Sequence, residues 1–381
     1  MKKLLKKIKV IVRKLLWRLC AILPTDKNKI VVSSYYGRGY GDNPKYIVEE
    51  LRKQKENIKV VWLLKNKSEA ASLPEGVDFC IYGSIKSIYH LSTAKVWIDN
   101  CRKGYHLKRK NQKYLQTWHG FALKRIESDV ENSLSKTYVA NAKKDSKSID
   151  LIVSDSSFMT SIYKNSFWYS GEIVEWGSPR NDILMNADGL ASLNVKKHFG
   201  IEENAKIILY APTFRKDLSL DAYSINAEQL ITSCEEKFAS PFVLLVRLHP
   251  NVAGRSSELN FNGSKIYDAS QYHDMQELLS AADVLISDYS SLMFDFALTG
   301  KPCFQFATDI DDYKSDRNFY FALDSLPFLL ATNNEELKCN IESFDHISYK
   351  DKINSFFTDV GMIFEGKSSA KCVNWILNQL G

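Results

Sequence analysis

The sequence predicts an α/β protein made of two doubly wound, parallel-sheet domains. Three observations carry this expectation. From residue 28 onward, short apolar, β-branched runs alternate with helical stretches, as strands do when crossover helices cover both sheet faces. The runs form two series, separated by a polar helical stretch near residues 185–205. The 381 residues suffice for two ordinary cores, and 45% hydrophobic with 25% charged content is that of a folded globular chain.

The chain opens with "MKKLLKKIKVIVRKLLWR", which holds eight Lys or Arg and no acid. Leu4, Ile8, Ile11, Leu15, Leu19 and Ile22 recur at three- and four-residue steps, which places them on one helical face. The apolar runs are too short and interrupted to span a bilayer, and no small-residue cleavage site precedes "LPTDKNK". Residues 1–27 are therefore expected to form a basic amphipathic helix on an anionic membrane surface at the cytoplasmic face, with Trp17 suited to the interface. The formal net charge of +6 sits in this segment. The rest is near neutral, which argues against a nucleic-acid partner.

The first series of strands reads "KIVVSS", "KVVWLL", "FCIYG", "KVWID", "YLQTW", "LIVSD" and "EIVEW". It defines an N-terminal domain over residues 28–190. The second reads "KIILYA", "FVLLVRL", "SKIYD", "VLISD" and "PCFQF", and defines a C-terminal domain over 191–366. A last helix is expected at 367–381, packing on either domain. Seven scattered cysteines without a CxxC pair or zinc spacing suggest reduced, buried thiols.

Open parallel sheets bind ligands outside the carboxyl ends of their strands, so each candidate is weighed by whether it follows a strand. His119 follows "YLQTW", and Gly120 lets the backbone turn or approach a ligand. An imidazole there suits proton abstraction from a hydroxyl, or else caps a following helix. Lys124 and Arg125 fall one turn later, where they meet phosphate or line a solvated face. In "FVLLVRLHP", Arg247 and His249 share a strand face, and Pro250 ends the strand and holds His249 extended. Both are donors suited to phosphate.

"VLISDYSSLMFDFALTGKP" runs a buried strand into Asp288, Ser290 and Ser291 and then an apolar helix. Free N–H groups at that helix start favour an anion. Asp295 lies one turn on, placed to reach a ribose. "YAPTFR" ends another strand at Pro212, with Thr213 and Arg215 as phosphate donors. In "GSPRND", Arg180 reaches ligand or, with Asp182, only builds a turn. The glycine-rich "SSYYGRGYGDNPKYIVEEL" lacks GxGxxG spacing and reads as a flexible loop at the site. No Asp-x-Asp pair stands at a convincing strand end, so no metal or other cofactor is called for, and Mg2+ stays open.

Taken in order, "QTWHG", "GSPRND", "YAPTFR", "RLHP" and "SDYSSLMFDFALTGKP" resemble the CDP-glycerol glycerophosphotransferase family of teichoic acid and capsule synthesis. The resemblance covers roughly residues 29–345. It implies a GT-B-like fold, with two Rossmann-like domains facing a cleft and the nucleotide held mainly by the second. It implies His119 and His249 as the catalytic pair. Gly120, Leu123, Arg180, Pro212, Thr213, Arg215, Arg247, Ser290, Ser291 and Asp295 would bind CDP-glycerol, with Lys124, Arg125 and Asp288 as further acceptor or phosphate contacts. It also implies an undecaprenyl-diphosphate-linked glycan acceptor at the inner membrane face. CDP-ribitol as donor, or a nucleotide-sugar in a glycosyltransferase, are the alternatives. The chain departs from the family pattern at Phe121-Ala122, where Thr-Pro is common, beside the expected reaction centre.

Overall fold

The computed structural model describes residues 2–54, 57–186, 188–215, 219–249, 251–259, 261, 263–310 and 319–380, with side chains from residue 10. The chain forms two compact units. The first comprises residues 1–119, 127–182 and 363–381, and the second residues 120–126 and 183–362. The main boundary between the units falls at Asp182/Ile183, where 190/191 was expected, and residues 120–126 make an earlier excursion into the second unit.

The first unit holds seven strands: β1 (Asp26–Ser33), β2 (Lys59–Leu64), β3 (Asp78–Ile81), β4 (Ala94–Asp99), β5 (Lys113–Gln116), β6 (Leu151–Ser154) and β7 (Glu172–Glu175). Their order is β3-β2-β1-β4-β5-β6-β7, and all six pairings are parallel. The order reverses between β1 and β4, which is where such sheets open a ligand crevice. The central strands read as near-continuous apolar runs because both faces are covered. Ile30, Val32, Val96 and Ile98 meet Ile47 and Leu51 of helix α2 (Asp42–Gln54, the second helix of the chain) together with Cys372, Val373 and Ile376 of the C-terminal helix Ser368–Leu380. Burial of each such aliphatic side chain contributes about 1.5–3 kcal/mol.

That helix is fastened by "GSPRND". Asp182 accepts from Ser368 N at 3.0 Å and Ser369 N at 2.7 Å, which caps the free N–H groups of its first turn. Gly177 has φ +86°, and a Cβ there would lie 2.5 Å from Ser368 Oγ, so only glycine fits.

The N-terminal helix α1 (Lys2–Cys20) forms as the spacing predicts. Ile11, Leu15, Leu19 and Ile22 stand exposed; Leu4 and Ile8 belong to the side chains outside the described residues. Trp17 differs from expectation. It is buried and packs on Trp97 with centroids 6.2 Å apart, because it lies on the opposite stripe, which faces α3 (Ile85–Thr93). It is therefore a core residue of the first unit and not an interfacial anchor. Among the described residues no helix is long and apolar enough to cross a membrane.

The second unit holds β8 (Lys206–Tyr210), β9 (Phe242–Val246), β10 (Ile266–Asp268), β11 (Val284–Ser287), β12 (Cys303–Phe306) and β13 (Leu329–Ala331). The order is β10-β9-β8-β11-β12-β13, again parallel, with the reversal between β8 and β11.

Candidate active site

In the first unit the crevice-forming strand ends converge on His119. Thr117 N donates to the Asp99 carbonyl at 3.0 Å, extending the β4–β5 ladder. The chain then turns sharply: Trp118 has φ +52° and Gly120 φ +122°, so a left-handed residue on each side lifts His119 out of the strand. No helix follows, which removes the capping reading. His119 Nδ1 lies 2.7 Å from the Asn100 carbonyl. A carbonyl only accepts, so Nδ1 carries the proton and Nε2 keeps its lone pair. Burial pushes the imidazole pKa below its ordinary value, and Arg180 adds to this while the Asn100 carbonyl and Asp42 oppose it. The ring is thus a neutral acceptor at Nε2, the form that a general base requires.

The ring is held from several directions. Trp118 stacks on it at 4.3 Å, and the Tyr35 ring lies 5.5 Å away. Arg180 Nη1 donates to the His119 carbonyl at 2.9 Å and to Asp42 Oδ2 at 2.6 Å. Asp42 also accepts from Tyr35 OH at 2.7 Å and Asn100 Nδ2 at 3.0 Å. Asn43 Nδ2 donates to the Trp118 carbonyl at 3.1 Å, and its Oδ1 accepts from Arg180 N at 3.0 Å. Burial alone would raise the Asp42 pKa; Arg180 and the hydrogen bonds from Asn100 and Tyr35 outweigh it and hold the carboxylate below its ordinary value. Arg180, expected as a ligand contact, is buried and ties the His119 backbone to Asp42. The glycine-rich segment expected to be a flexible loop supplies that clamp: Asp42 and Asn43 begin α2. Asn100 directly follows β4, so the strand-end criterion could have found it.

Behind Trp118 lies a buried ionic cluster. The Arg102 guanidinium sits 4.6 Å from the Phe167 ring and 5.9 Å from Trp118, and pairs with Glu127 at 3.0 Å and Asp145 at 3.6 Å. Burial raises the Asp145 pKa to about 7, with Arg102 and Lys103 opposing. Its folded-state pKa thus exceeds the unfolded one, so the folded chain binds more protons between about pH 4 and 7 and stability falls as pH rises through that window. Asp145→Asn is expected to flatten this dependence. Thermal unfolding midpoints of both proteins from pH 5 to 8 check it: equal slopes would refute the assignment.

In the second unit, Asp288 joins the ends of β8 and β11. It accepts from Thr213 N at 2.9 Å, Thr213 Oγ1 at 3.0 Å, Tyr289 N at 2.6 Å and Arg215 Nη1 at 2.9 Å. Arg215 was expected as a phosphate fork. Its Nε and Nη2 instead grip Asp309 at 2.5 and 2.9 Å, and Nη1 also donates to the Thr213 carbonyl at 2.7 Å. Such a doubly paired, buried guanidinium fixes the loop after Pro212, itself buried. Asp309 is a residue that sequence reasoning missed.

His249 stands half-buried after β9, and Pro250 lies outside the described residues. Its Nδ1 accepts from Asn251 N at 3.1 Å, so the neutral ring carries its proton on Nε2. Its tautomer is opposite to that of His119. The ring lies tilted against Phe214, with centroids 4.4 Å apart. Arg247, expected to bind donor beside it, turns Nη1 onto the carbonyls of Ala269 at 2.9 Å and Tyr272 at 2.5 Å. Ser290 and Ser291 are half-buried at the start of the short helix Leu292–Ala297, and Ser291 makes no side-chain cap. Asp295 is buried and accepts from Gln276 Nε2 at 3.3 Å.

Residues 120–126 belong to the second unit. Lys124 forms an antiparallel bridge with Phe319, the Leu123 carbonyl accepts from Tyr320 N at 2.9 Å, and Arg125 lies 5.2 Å from the Tyr320 ring. The segment is extended, so Lys124 and Arg125 are not on a helical turn beyond His119. Phe121 is buried with its ring 4.5 Å from Phe294 and 5.9 Å from Phe321. The departure from Thr-Pro at 121–122 thus serves packing.

Residues 15–378 match the model of the family described as CDP-glycerol:poly(glycerophosphate) glycerophosphotransferase. The teichoic acid poly(glycerol phosphate) polymerase of Staphylococcus epidermidis is 32% identical over 357 residues, 89% of this chain and 49% of that protein, so the chain spans about half its length. The protein of the same description from Bacillus spizizenii is 29% identical over 378 residues, 95% of each. The structure of the wall teichoic acid polymerase TagF matches with TM-score 0.83 at 29% identity, covering 100% of this chain and 97% of that one. A histidine variant of it soaked with CDPG gives TM-score 0.84. With two strand-end histidines in complementary tautomers and a match along nearly its whole length, the chain belongs to the CDP-glycerol:poly(glycerophosphate) glycerophosphotransferase family, whose relatives include glycerol-phosphate polymerases and transferases of teichoic acid synthesis.

Proposed function

We propose that this chain transfers glycerol phosphate from CDP-glycerol to a hydroxyl of a membrane-linked acceptor, releasing CMP, in teichoic acid or capsular polysaccharide synthesis. The observation that carries the reading is the pair of tautomers. The acceptor oxygen attacks the glycerol-bearing phosphorus as its proton passes to His119 Nε2. The bond from that phosphorus to the CMP oxygen breaks, and CMP leaves with the electron pair. His249 Nε2–H donates a hydrogen bond to the departing phosphate. The hydroxyls of Ser290 and Ser291 and the N–H groups beside them hold the diphosphate. Thr213, fixed by Asp288, shapes the same strand-end surface.

The two parallel-sheet units act as the halves of a GT-B-like transferase. The acceptor is an undecaprenyl-diphosphate-linked glycan or polyol phosphate, and the enzyme works as a peripheral protein at the cytoplasmic face of the bacterial membrane. The exposed Ile11–Leu15–Leu19 stripe of α1, with Ile22 in the turn after it, supports this, because its flanks are basic. Incubation with CDP-glycerol, CDP-ribitol and a panel of nucleotide-sugars, with a lipid-linked disaccharide acceptor, tests the reading. CMP release with CDP-glycerol and growth of the lipid product by glycerol phosphate units are expected. Release of a nucleoside diphosphate from a sugar donor would overturn it.

A further inference from the structure

Three residues around His119 hold a left-handed backbone that is uncommon outside glycine: Tyr35 (φ +44°), Asp42 (φ +59°) and Trp118 (φ +52°). They come from three places in the first unit, just after β1, at the start of α2 and just after β5. Side chains tie them together. Tyr35 OH donates to Asp42 Oδ2 at 2.7 Å, and Asn43, the neighbour of Asp42, donates from Nδ2 to the Trp118 carbonyl at 3.1 Å. Strain of this kind gathers where the surrounding structure fixes a functional group.

The Asp42 carboxylate stands at the centre of these ties, with its side chain only 6% exposed. Besides Tyr35 OH it accepts from Asn43 N at 2.8 Å, Asn100 Nδ2 at 3.0 Å and Arg180 Nη1 at 2.6 Å. Two of these donors lead on to His119. The Asn100 carbonyl takes the Nδ1 proton, and Asn100 Oδ1 accepts from Tyr35 N at 2.8 Å. Asp42 and Tyr35 thus fix the residue that sets the tautomer. Arg180 Nη1 reaches the His119 carbonyl at 2.9 Å. Two further titratable groups face the ring. The Cys101 thiol lies 3.8 Å from Nδ1 and is kept neutral by burial. Glu127 is already paired with Arg102 at 3.0 Å. A buried imidazole resists protonation, and a nearby guanidinium adds to that resistance. A base must nevertheless carry a positive charge once it has taken a proton, and Asp42 is the carboxylate placed to cancel Arg180.

We propose that Asp42 is the positioning residue of the base: it holds Asn100 and Arg180 around His119 and neutralises the guanidinium, so that the buried ring can accept and carry the proton of the attacking hydroxyl. It acts through His119, and the inference rests on His119 as the base proposed above. The consequence for pH has a definite sign. Burial depresses the His119 pKa, the Asn100 carbonyl and Asp42 partly restore it, and Arg180 lowers it again. Removing the Asp42 charge therefore leaves a weaker base, whose acid limb moves to lower pH while the plateau falls. Removing the Arg180 charge moves the limb the other way.

Transfer by the full chain, with CDP-glycerol and a lipid-linked disaccharide acceptor, would be measured against pH for Asp42→Asn, Arg180→Gln, His119→Ala and the double variant Asp42→Asn/His119→Ala, with calorimetric titration of CDP-glycerol. Asp42→Asn is expected to lower kcat about 10- to 100-fold, the scale of a misplaced catalytic group, and to leave CDP-glycerol affinity within about twofold of wild type. Its acid limb of kcat/KM should lie at lower pH and that of Arg180→Gln at higher pH. The double variant should be no slower than His119→Ala alone, because residues that act as a unit do not add. A wild-type kcat in Asp42→Asn, limbs that do not separate, or losses that multiply in the double variant would overturn the proposal and leave His119 as the base. A wild-type rate in His119→Ala would instead overturn the base reading and the proposal with it. Should Asp42→Asn not fold, the charge-balanced pair Asp42→Asn/Arg180→Gln takes its place with and without His119→Ala: a loss that appears only when His119 is present supports the proposal, and an equal loss in both overturns it.

Discussion

Replacing His119 by alanine lowers transfer from CDP-glycerol by about 10²–10⁴-fold, the range that a positioned general base contributes, and leaves CDP-glycerol binding intact. The argument is geometric. The Asn100 carbonyl fixes the proton on Nδ1, and the site keeps the ring neutral by burying it. The pH profile follows with a definite sign. A base works unprotonated, so the rising limb of kcat/KM belongs below the ordinary histidine range, and the wild-type rate stays flat through neutrality. Initial rates against pH, with calorimetric titration of CDP-glycerol for both proteins, check the claim. A wild-type rate in the alanine variant, or loss of donor binding without loss of turnover, would remove the base role.

His249→Ala is expected to cost about 10²–10³-fold in turnover, the usual effect of removing one fixed donor to developing negative charge. The loss should depend on the leaving group. A CDP-glycerol analogue with sulfur in the bridging position departs as a thiolate and needs little hydrogen-bond help. It should restore much of the rate of the His249 variant and little of the rate of the His119 variant. Comparing the two variants on both donors reads this out; equal recovery would dissolve the division of labour drawn from their opposite tautomers.

Both predictions rest on residues that were legible in the sequence, and the reason is local. His119 and His249 each lie three residues past the end of a strand, β5 and β9, and twelve apolar runs named their strands because parallel sheets bury both faces. The strand at Leu329–Ala331, at one edge of the second sheet, was not among them. The partners of the arginines were not legible for a non-local reason. Arg180 and Arg215 find Asp42 and Asp309 across 138 and 94 residues of chain, and nothing in a linear pattern announces such a pair. Asp42, Asn43 and Asn100 were passed over because their work is to hold backbone carbonyls and each other. Trp17 failed for a simpler cause: on an amphipathic helix with two apolar stripes, spacing does not say which one the protein keeps for itself.

The C-terminal helix Ser368–Leu380 also bears on how the protein is made. Cys372, Val373, Ile376 and Leu380 belong to the same core as β1 and β4, although the whole second unit is synthesised between them. Multidomain chains commonly fold from the N-terminus as they leave the ribosome. Here the first unit emerges early with one sheet face covered by α2 but not by the C-terminal helix, and it stays so until some 180 further residues have been translated. The unit that carries His119 is therefore the last to finish folding, and truncated translation products carry a part-covered sheet face that chaperones or proteases can recognise.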